Sequence, residues 1–296
     1  MKIGVLLNRD LPEAGASTRQ VAARLEERGH EVLPLPILEL EVDARGQPRL
    51  GRNKLNDLDG ILVRTSPGRD TGRALDHELA LELLGRLENP VIVNDPAVLH
   101  TTGGKLWLTT LPTDLRPRTW LTRSPKTVRS VLEQLGEVVV KPLRGSGGRG
   151  VVRLDRSRVD QVAAIVELLS EQGPVLVQEL IPEASEGDVR VLVLEGRILG
   201  TVRRRPGAGE FRSNVSRGGQ PEAAPLEGAK LEAALRLARA VHEAGLWLAG
   251  IDLIGTRAVE VNVFSPGGFE DAGRFAGKDL VDELCQALEA RLSARR

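Results

Sequence analysis

Tyrosine is absent from this 296-residue chain, and its aromatic share is 2%, with four Phe and three Trp. That scarcity leaves no material for the aromatic platforms on which single-stranded nucleic acids stack. Charge of a prevailing sign is also missing, since 41 basic residues balance 41 acidic ones and no long basic run appears. The electrostatic footprint of non-specific nucleic-acid binding is therefore lacking, and no nucleic-acid partner is expected. Cysteine occurs once, at Cys285, which excludes an internal disulfide framework and fits a reducing compartment. It is expected in a C-terminal helix as a small core residue. No apolar run approaches the length of a membrane span, and MKIGVLLNRD turns polar too soon for a signal peptide. These absences predict a cytoplasmic globular protein without a membrane partner. The histidines His30, His77, His100 and His242 show no metal-ligand spacing and are expected at surfaces or helix ends.

What is present begins with alternation. KIGVLL reads as a buried strand and STRQVAARLEERG as an amphipathic helix, with Ser17 as its N-cap and Gly29 as its stop. EVLPLP, LDGILVR and PVIVN read as further strands, with a helix across Leu75–Leu87. Strand and helix in turn predict an α/β layer with a mostly parallel sheet, ending near Pro96. A helical connection carrying Lys105 leads to a second unit. That unit holds RTWLTR, a helix around Thr127–Leu135, two short strands joined by glycines, a helix near Arg158–Glu171 and PVLVQELIP. The last part contains DVRVLVLEG and RILGTVRRR, a helix across Gly228–Ala244, a hairpin and a closing helix near Leu280–Leu292. Spacing puts Leu231, Leu235, Ala238 and Val241 on one face of the first of these helices.

The hairpin LWLAGIDLIGTRAVEVNVF gives the sharpest chemical signal. With Gly255-Thr256-Arg257 as a three-residue loop, Asp252 faces Glu260 across the pair and Asn262 lies two residues on, on the same face. Two opposed carboxylates repel, and a divalent cation removes the conflict. Oxygen ligands alone suit a hard ion such as Mg²⁺. The bland alternative is a solvated strand face, and a two-residue loop would put Glu260 on the opposite side from Asp252. The second signal is VVVKPLRGSGGRGVVRL, with four glycines in six residues between two strands. No helix follows, so neither a P-loop nor a dinucleotide fingerprint fits. A loop between strands can instead fold over phosphates as a lid, with Lys141 and Lys105 supplying positive charge.

Together these pieces resemble the ATP-grasp superfamily, and within it the bacterial-type glutathione synthetase family. IVNDPAVLHTTGGKLW is similar to the family's segment around its first ATP lysine, and VVVKPLRGSGGRG to its second lysine and glycine lid. The resemblance implies a parallel-sheet pre-ATP-grasp domain over 1–96, a small lobe with the lid over 97–178 and a C-terminal lobe with the metal site over 179–296. It implies ATP contacts by Lys105, Lys141, Gly145, Ser146, Gly147, Gly148 and Asp188, and by the hinge Gln178, Glu179, Leu180 and Ile181. Arg190 and Arg204 are implied as catalytic through contact with phosphate or acyl phosphate. Arg64, Arg212, Asn214 and Ser265 are implied for substrate, and Asp252, Glu260 and Asn262 for Mg²⁺, with Mn²⁺ as the alternative. The implied activity is ATP-dependent ligation of a carboxylate to an amine through an acyl phosphate, joining γ-glutamylcysteine and glycine in a homo-oligomer.

Two segments depart from the family. RTSPGRD keeps Arg64, Pro67 and Asp70 where the family reads Arg-x-Asp-Pro-Pro-Phe-Asp. NVFSPGG replaces Asn-Val-Thr-Ser-Pro-Thr, so Phe264 stands for a hydroxyl residue and Gly267-Gly268 are expected to loosen the turn. Both changes are expected where the substrates bind. Two other readings therefore stand beside the first. One is a ligase for another amino acid or peptide, resembling ribosomal-protein glutamate ligases or lysine-biosynthesis ligases. The other is a nucleotide-binding regulatory protein, as the synapsins resemble.

Overall fold

KIGVLL is buried from Ile3 to Leu7, as a central parallel strand covered on both faces must be. The computed structural model describes residues 1–69, 71–145, 147–171, 173–206 and 220–294. Expectations for Asp70, Ser146, Arg212 and Asn214 thus lie outside the described residues. Strand β1 (Lys2–Leu7) is followed by α1 (Ala16–Glu27) and β2 (Glu31–Pro36). A small antiparallel meander follows, of β3 (Leu40–Val42), β4 (Pro48–Leu50) and β5 (Asn53–Lys54). Next come β6 (Gly60–Val63), α2 (Ala74–Leu84) and β7 (Val91–Val93). The first sheet has the order β2-β1-β6-β7 and is parallel throughout, as the alternation predicts. Ser17 does not cap α1, because Gly15 holds that position, while Gly29 at φ 84 ends the helix as expected.

Helix α3 (Pro96–Thr102), capped by the Asp95 carboxylate, precedes a 3-10 segment over Lys105–Thr110. The second sheet is antiparallel, in the order β10-β9-β11-β8. It is built from β8 (Thr119–Thr122), α4 (Pro125–Leu135), β9 (Glu137–Pro142), β10 (Val152–Asp155), α5 (Val162–Leu169) and β11 (Val175–Glu179). The third sheet runs β14-β13-β12-β15-β16. Its strands are β12 (Asp188–Leu194), β13 (Arg197–Arg205), β14 (Gln220–Glu222), β15 (Leu248–Ile254) and β16 (Arg257–Asn262). Helices α6 (Gly228–Glu243), α7 (Phe269–Ala276) and α8 (Leu280–Ser293) pack around it.

Two cores grip the third sheet. Val189, Val191, Val193, Ile251 and Leu253 join α6 and the first sheet in one cluster. Leu192, Leu194, Val202 and Leu248 join α1, α7 and α8 in the other. Helix α6 presents the expected face only in part. Ala238 and Val241 are buried, but Leu231 and Leu235 are 38% and 51% exposed, and Ala233, Ala234 and Leu237 are buried in their place. Small alanines let the helix approach the sheet, and close packing outweighs the size of the leucines. His77 lies in the first turn of α2, a helix end as expected, but it is buried there, beside Asn8. Cys285 lies in the core of α8 as expected, and burial pushes its thiol up to about 12, which leaves it inert. Asn94 ties the first sheet to the third. Its side chain donates to the carbonyls of Leu248 and Val263 at 2.7 Å and accepts from the amides of Trp247 and Leu248 at 2.9 Å. No helix among the described residues is long and apolar enough to cross a membrane.

Candidate active site

Strands place successive side chains on opposite faces, so every second residue of β12 shares a face. Asp188 and Arg190 are two such residues. Asp188 pairs with Arg204 of β13, Arg190 pairs with Asp252 of β15, and Asp252 pairs with Glu260 of β16. Asn262 stands opposite Gly250, two residues further along the same face. Six residues expected from separate stretches of sequence thus form one charged patch across four strands, while the opposite face stays aliphatic.

The opposition of Asp252 and Glu260 arises by a different route from the one expected. The loop is the two-residue Gly255-Thr256, since Ile254 pairs with Arg257 and Leu253 with Ala258. Left uncorrected, that register would turn Glu260 away. Val259 is an extra residue in β16, and this bulge restores Glu260 to the face of Asp252. The bulge has a second use, because the Val259 carbonyl accepts a hydrogen bond from Lys141 Nζ at 3.0 Å.

Arg190 grips Asp252 through both fork nitrogens, Nε to Oδ1 at 2.5 Å and Nη2 to Oδ2 at 3.1 Å. Arg204 does the same to Asp188 and also lies 2.8 Å from Asp252 Oδ2. All four are buried. Burial pushes the Asp252 carboxyl up, but the charges of Arg190 and Arg204 outweigh it and hold the group at about 2. Burial, and then the Asp252 charge, raise Asp188 above the usual carboxylate range despite Arg204. Asp252 therefore keeps its negative charge in a dry site, and the two guanidiniums stand rigid at the cavity wall.

The glycine loop folds over this face. Gly145, Gly147, Gly148 and Gly150 all have positive φ, between 64° and 139°, a region that side chains with a Cβ rarely occupy. Its glycines thus serve backbone shape as well as close approach. Lys105 Nζ donates to the Gly145 carbonyl at 2.6 Å and stands 3.8 Å from Glu260 Oε1. Lys105, Lys141, Gly145 and Gly148 line one cavity with Gln178, Glu179, Leu180, Ile181, Asp188, Asp252 and Glu260. Gln178 is buried and donates to Thr119 Oγ1 at 3.0 Å, whereas Arg118 and Arg257 hold the Glu179 carboxylate. Among the expected nucleotide contacts, only Ser146 falls outside the described residues and only Gly147 lies on the neighbouring cavity.

Lys141 is the costly member of this set. Burial lowers its ammonium to about 8, against the pull of the Glu260 charge. The unfolded chain binds that proton more tightly, so the penalty is full below about pH 8 and fades as pH rises toward 10.5. A gap of this size costs about 3 kcal/mol at neutral pH. Lys141→Met is therefore expected to raise the urea midpoint while abolishing nucleotide binding. An unchanged or lower midpoint, or retained nucleotide affinity, would count against this assignment.

A second cavity opens beyond the charged face toward the first sheet. Arg64, Arg69, Arg149, Arg190 and Arg204 line it with Ser17, Thr18, Ser265 and Gly267. Arg64 is 3% exposed; its Nε donates to Thr18 Oγ1 at 3.1 Å and its Nη2 to the Pro266 carbonyl at 3.0 Å. Its Nη1 is buried without a hydrogen-bond partner. Burial, and then the Arg69 charge, lower this guanidinium to about 10. A buried cation with an orphan donor is expensive unless an anion completes it.

The departures in NVFSPGG act differently from expectation. The Phe264 ring does not line this cavity but lies over Gly103, where a Cβ would come within 2.6 Å of it. Gly267 and Gly268 are clamped rather than loose. Arg190 Nη1 donates to the Gly267 carbonyl at 3.1 Å, and the Gly268 amide donates to Ser17 Oγ at 3.4 Å. Ser17, Thr18, Arg69 and Arg149 were not singled out as site residues by sequence reasoning. Only Arg69 and Arg149 carried a signal, through their places in RTSPGRD and in the glycine loop.

No group of three or more His, Cys, Asp or Glu side chains is arranged for a metal among the described residues. Two carboxylates and an amide are nevertheless at hand. Asn262 turns its N–H toward Asp252 Oδ2 at 3.3 Å, leaving its amide oxygen to join the oxygens of Asp252 and Glu260 as a ligand. Oxygen donors of this kind fit a hard ion.

Comparison with known proteins agrees with this geometry. The model of the prokaryotic glutathione synthetase ATP-grasp domain matches residues 104–277. The glutathione synthetase of Brucella melitensis is 31% identical over 300 residues, covering 94% of each chain. That of Prochlorococcus marinus is 35% identical over 270 residues, covering 90% of this chain and 86% of its own. Among solved structures, the D-cycloserine synthetase DcsG superposes with a TM-score of 0.77 at 17% identity, over 98% of this chain and 99% of its own. The ATP-grasp ligase PsnB, solved with a phosphomimetic precursor variant, Mg and ADP, gives 0.71 at 21% identity, over 98% of each chain. These two likenesses show the fold, an N-terminal α/β layer followed by ATP-grasp lobes.

Proposed function

Since the chain belongs to the prokaryotic glutathione synthetase family and is an ATP-dependent ligase, we propose that it joins the cysteine carboxylate of γ-glutamylcysteine to the amine of glycine. The observation that carries the reading is the adjacency of two cavities. Lys105, Lys141, Asp188 and Asp252 line the first, Arg190 and Arg204, which are paired with those two carboxylates, line the second, and Arg149 lines both. The same layout supports dividing the chain into 1–96, 97–178 and 179–296.

Carboxylate and γ-phosphate are both anionic and repel in water. Lys105, Lys141, Arg190 and Arg204 offset that repulsion and hold the groups in line. A carboxylate oxygen attacks the γ-phosphorus, the bond to the β-bridging oxygen breaks, and ADP leaves. The amine nitrogen then attacks the acyl carbon, the bond from that carbon to the phosphate oxygen breaks, and phosphate departs with the former carboxylate oxygen and the proton that the nitrogen gives up. Asp252, Glu260 and Asn262 would hold magnesium, or manganese in its place, which neutralises phosphate charge when bound. The lid excludes water that would hydrolyse the acyl phosphate. The hinge from Gln178 to Ile181 would take the adenine.

The orphan Nη1 of Arg64 is assigned to the second carboxylate of the acid, with Ser265 beside it. Arg64→Met should raise the acid's KM by about 10- to 100-fold, the worth of a hydrogen bond to a charged group, with little change in the nucleotide's KM. Equal effects on both would contradict the assignment. The function itself is tested by supplying ATP, Mg²⁺ and γ-glutamylcysteine with glycine or larger amines and following ADP. Glycine-dependent ADP and glutathione are expected. ADP formed only with another acid or amine would refute the substrate assignment.

A further inference from the structure

Arg149 is the only described residue that lines both the nucleotide cavity and the arginine-rich cavity. It belongs to the glycine lid, yet its Nη2 donates to two carbonyls of the first domain, Gly68 at 3.1 Å and Arg69 at 2.9 Å. Those carbonyls sit on the 3-10 turn Pro67–Arg69, which follows Arg64 and Ser66 along the wall of the second cavity. The turn is held at its base, where the Ser66 amide donates to Asn8 Oδ1 at 2.6 Å and the Arg69 amide to the Ser66 carbonyl at 2.9 Å. Arg149 holds its outer side. A second lid contact, Arg144 to Glu78 at 2.6 Å, is an ion pair between half-exposed side chains and is weak by comparison.

We propose that Arg149 is a positioning residue that makes lid closure over the nucleotide and ordering of the acid-binding turn a single event. This rests on the reading that the lid covers ATP and the arginine-rich cavity receives the acid. A closed lid brings the guanidinium to the two carbonyls, and the bonded turn fixes Arg64 and Arg69 for the acid. By linkage, nucleotide then raises the acid's affinity by the same factor as the acid raises the nucleotide's. The factor expected is roughly tenfold, within the usual range for such coupling.

Hydrogen exchange with Mg²⁺ and a non-hydrolysable ATP analogue, without acid, tests the latch apart from the choice of acid. In the wild type, nucleotide should slow exchange in the lid, residues 143–151, and also in residues 64–69 of the first domain. In Arg149→Ala the lid should stay protected and the 64–69 segment should not, with Arg149→Lys intermediate. Equal protection of 64–69 in Arg149→Ala overturns the proposal. No lid protection even in the wild type would reject the nucleotide site, and the latch with it. With γ-glutamylcysteine, the ratio of the acid's Kd without nucleotide to its Kd with nucleotide should be roughly ten in the wild type and close to one in Arg149→Ala. A retained gain would overturn the coupling even if the ligase reading stands.

Discussion

Removing the carboxylate of Asp252 is expected to cost the fold about 3–5 kcal/mol, the usual penalty for breaking a buried ion pair, and to end turnover. Asp252 is 2% exposed and accepts from Arg190, Arg204 and Asn262 together. In Asp252→Ala, Arg204 keeps Asp188, whose carboxyl is freed from a repelling neighbour. Arg190 keeps only the Gly267 carbonyl. The penalty should therefore fall mainly on Arg190. Arg190→Met combined with Asp252→Ala should recover much of the lost stability without recovering activity. Urea unfolding of the two single variants and the double variant measures this coupling directly. Additive losses would show that the network is not the unit described here.

Glu260→Gln should behave in the opposite way, with a fall in turnover of at least ~100-fold, the scale of losing one preorganised electrostatic contact, and an almost unchanged stability. Its side chain is 32% exposed, and its nearest cation, Lys105, is 3.8 Å away. An ion pair of that kind contributes little to folding, typically about 0–1 kcal/mol. Under the proposed function the carboxylate matters in the reaction, where it would hold a divalent ion opposite Asp252. Steady-state ADP formation and a thermal melt on the same preparation check both halves. Near-normal turnover would remove Glu260 from the metal site.

Much of this site was legible because it rests on strand periodicity. Asp188 and Arg190, or Glu260 and Asn262, are two apart, and two-residue spacing fixes a shared face before any partner is known. The bulge at Val259 was not legible, since nothing in RAVEVN marks where an extra residue enters the ladder. Its effect imitates the three-residue loop that the spacing suggests. The strands of two or three residues between Leu40 and Lys54 are too short to display alternation. Helix α7 has no capping side chain, and its N-cap is Gly268 with φ 103, so only the acidic Glu270 and Asp271 of its first turn mark its start. On α6 the sequence pattern favours Leu231 and Leu235, but the sheet selects alanines for closeness. Neither the orphan nitrogen of Arg64 nor the reach of Arg149 could be read from composition, because both depend on carbonyls far along the chain.

Isotope transfer tests the central claim most directly. γ-Glutamylcysteine labelled with ¹⁸O in its cysteine carboxylate is turned over with ATP and glycine, and the phosphate is analysed by mass. Attack by that carboxylate on the γ-phosphorus predicts one ¹⁸O in the phosphate for every amide formed. Amide formation with unlabelled phosphate would contradict the acyl-phosphate route and the assignment of the charged face that supports it.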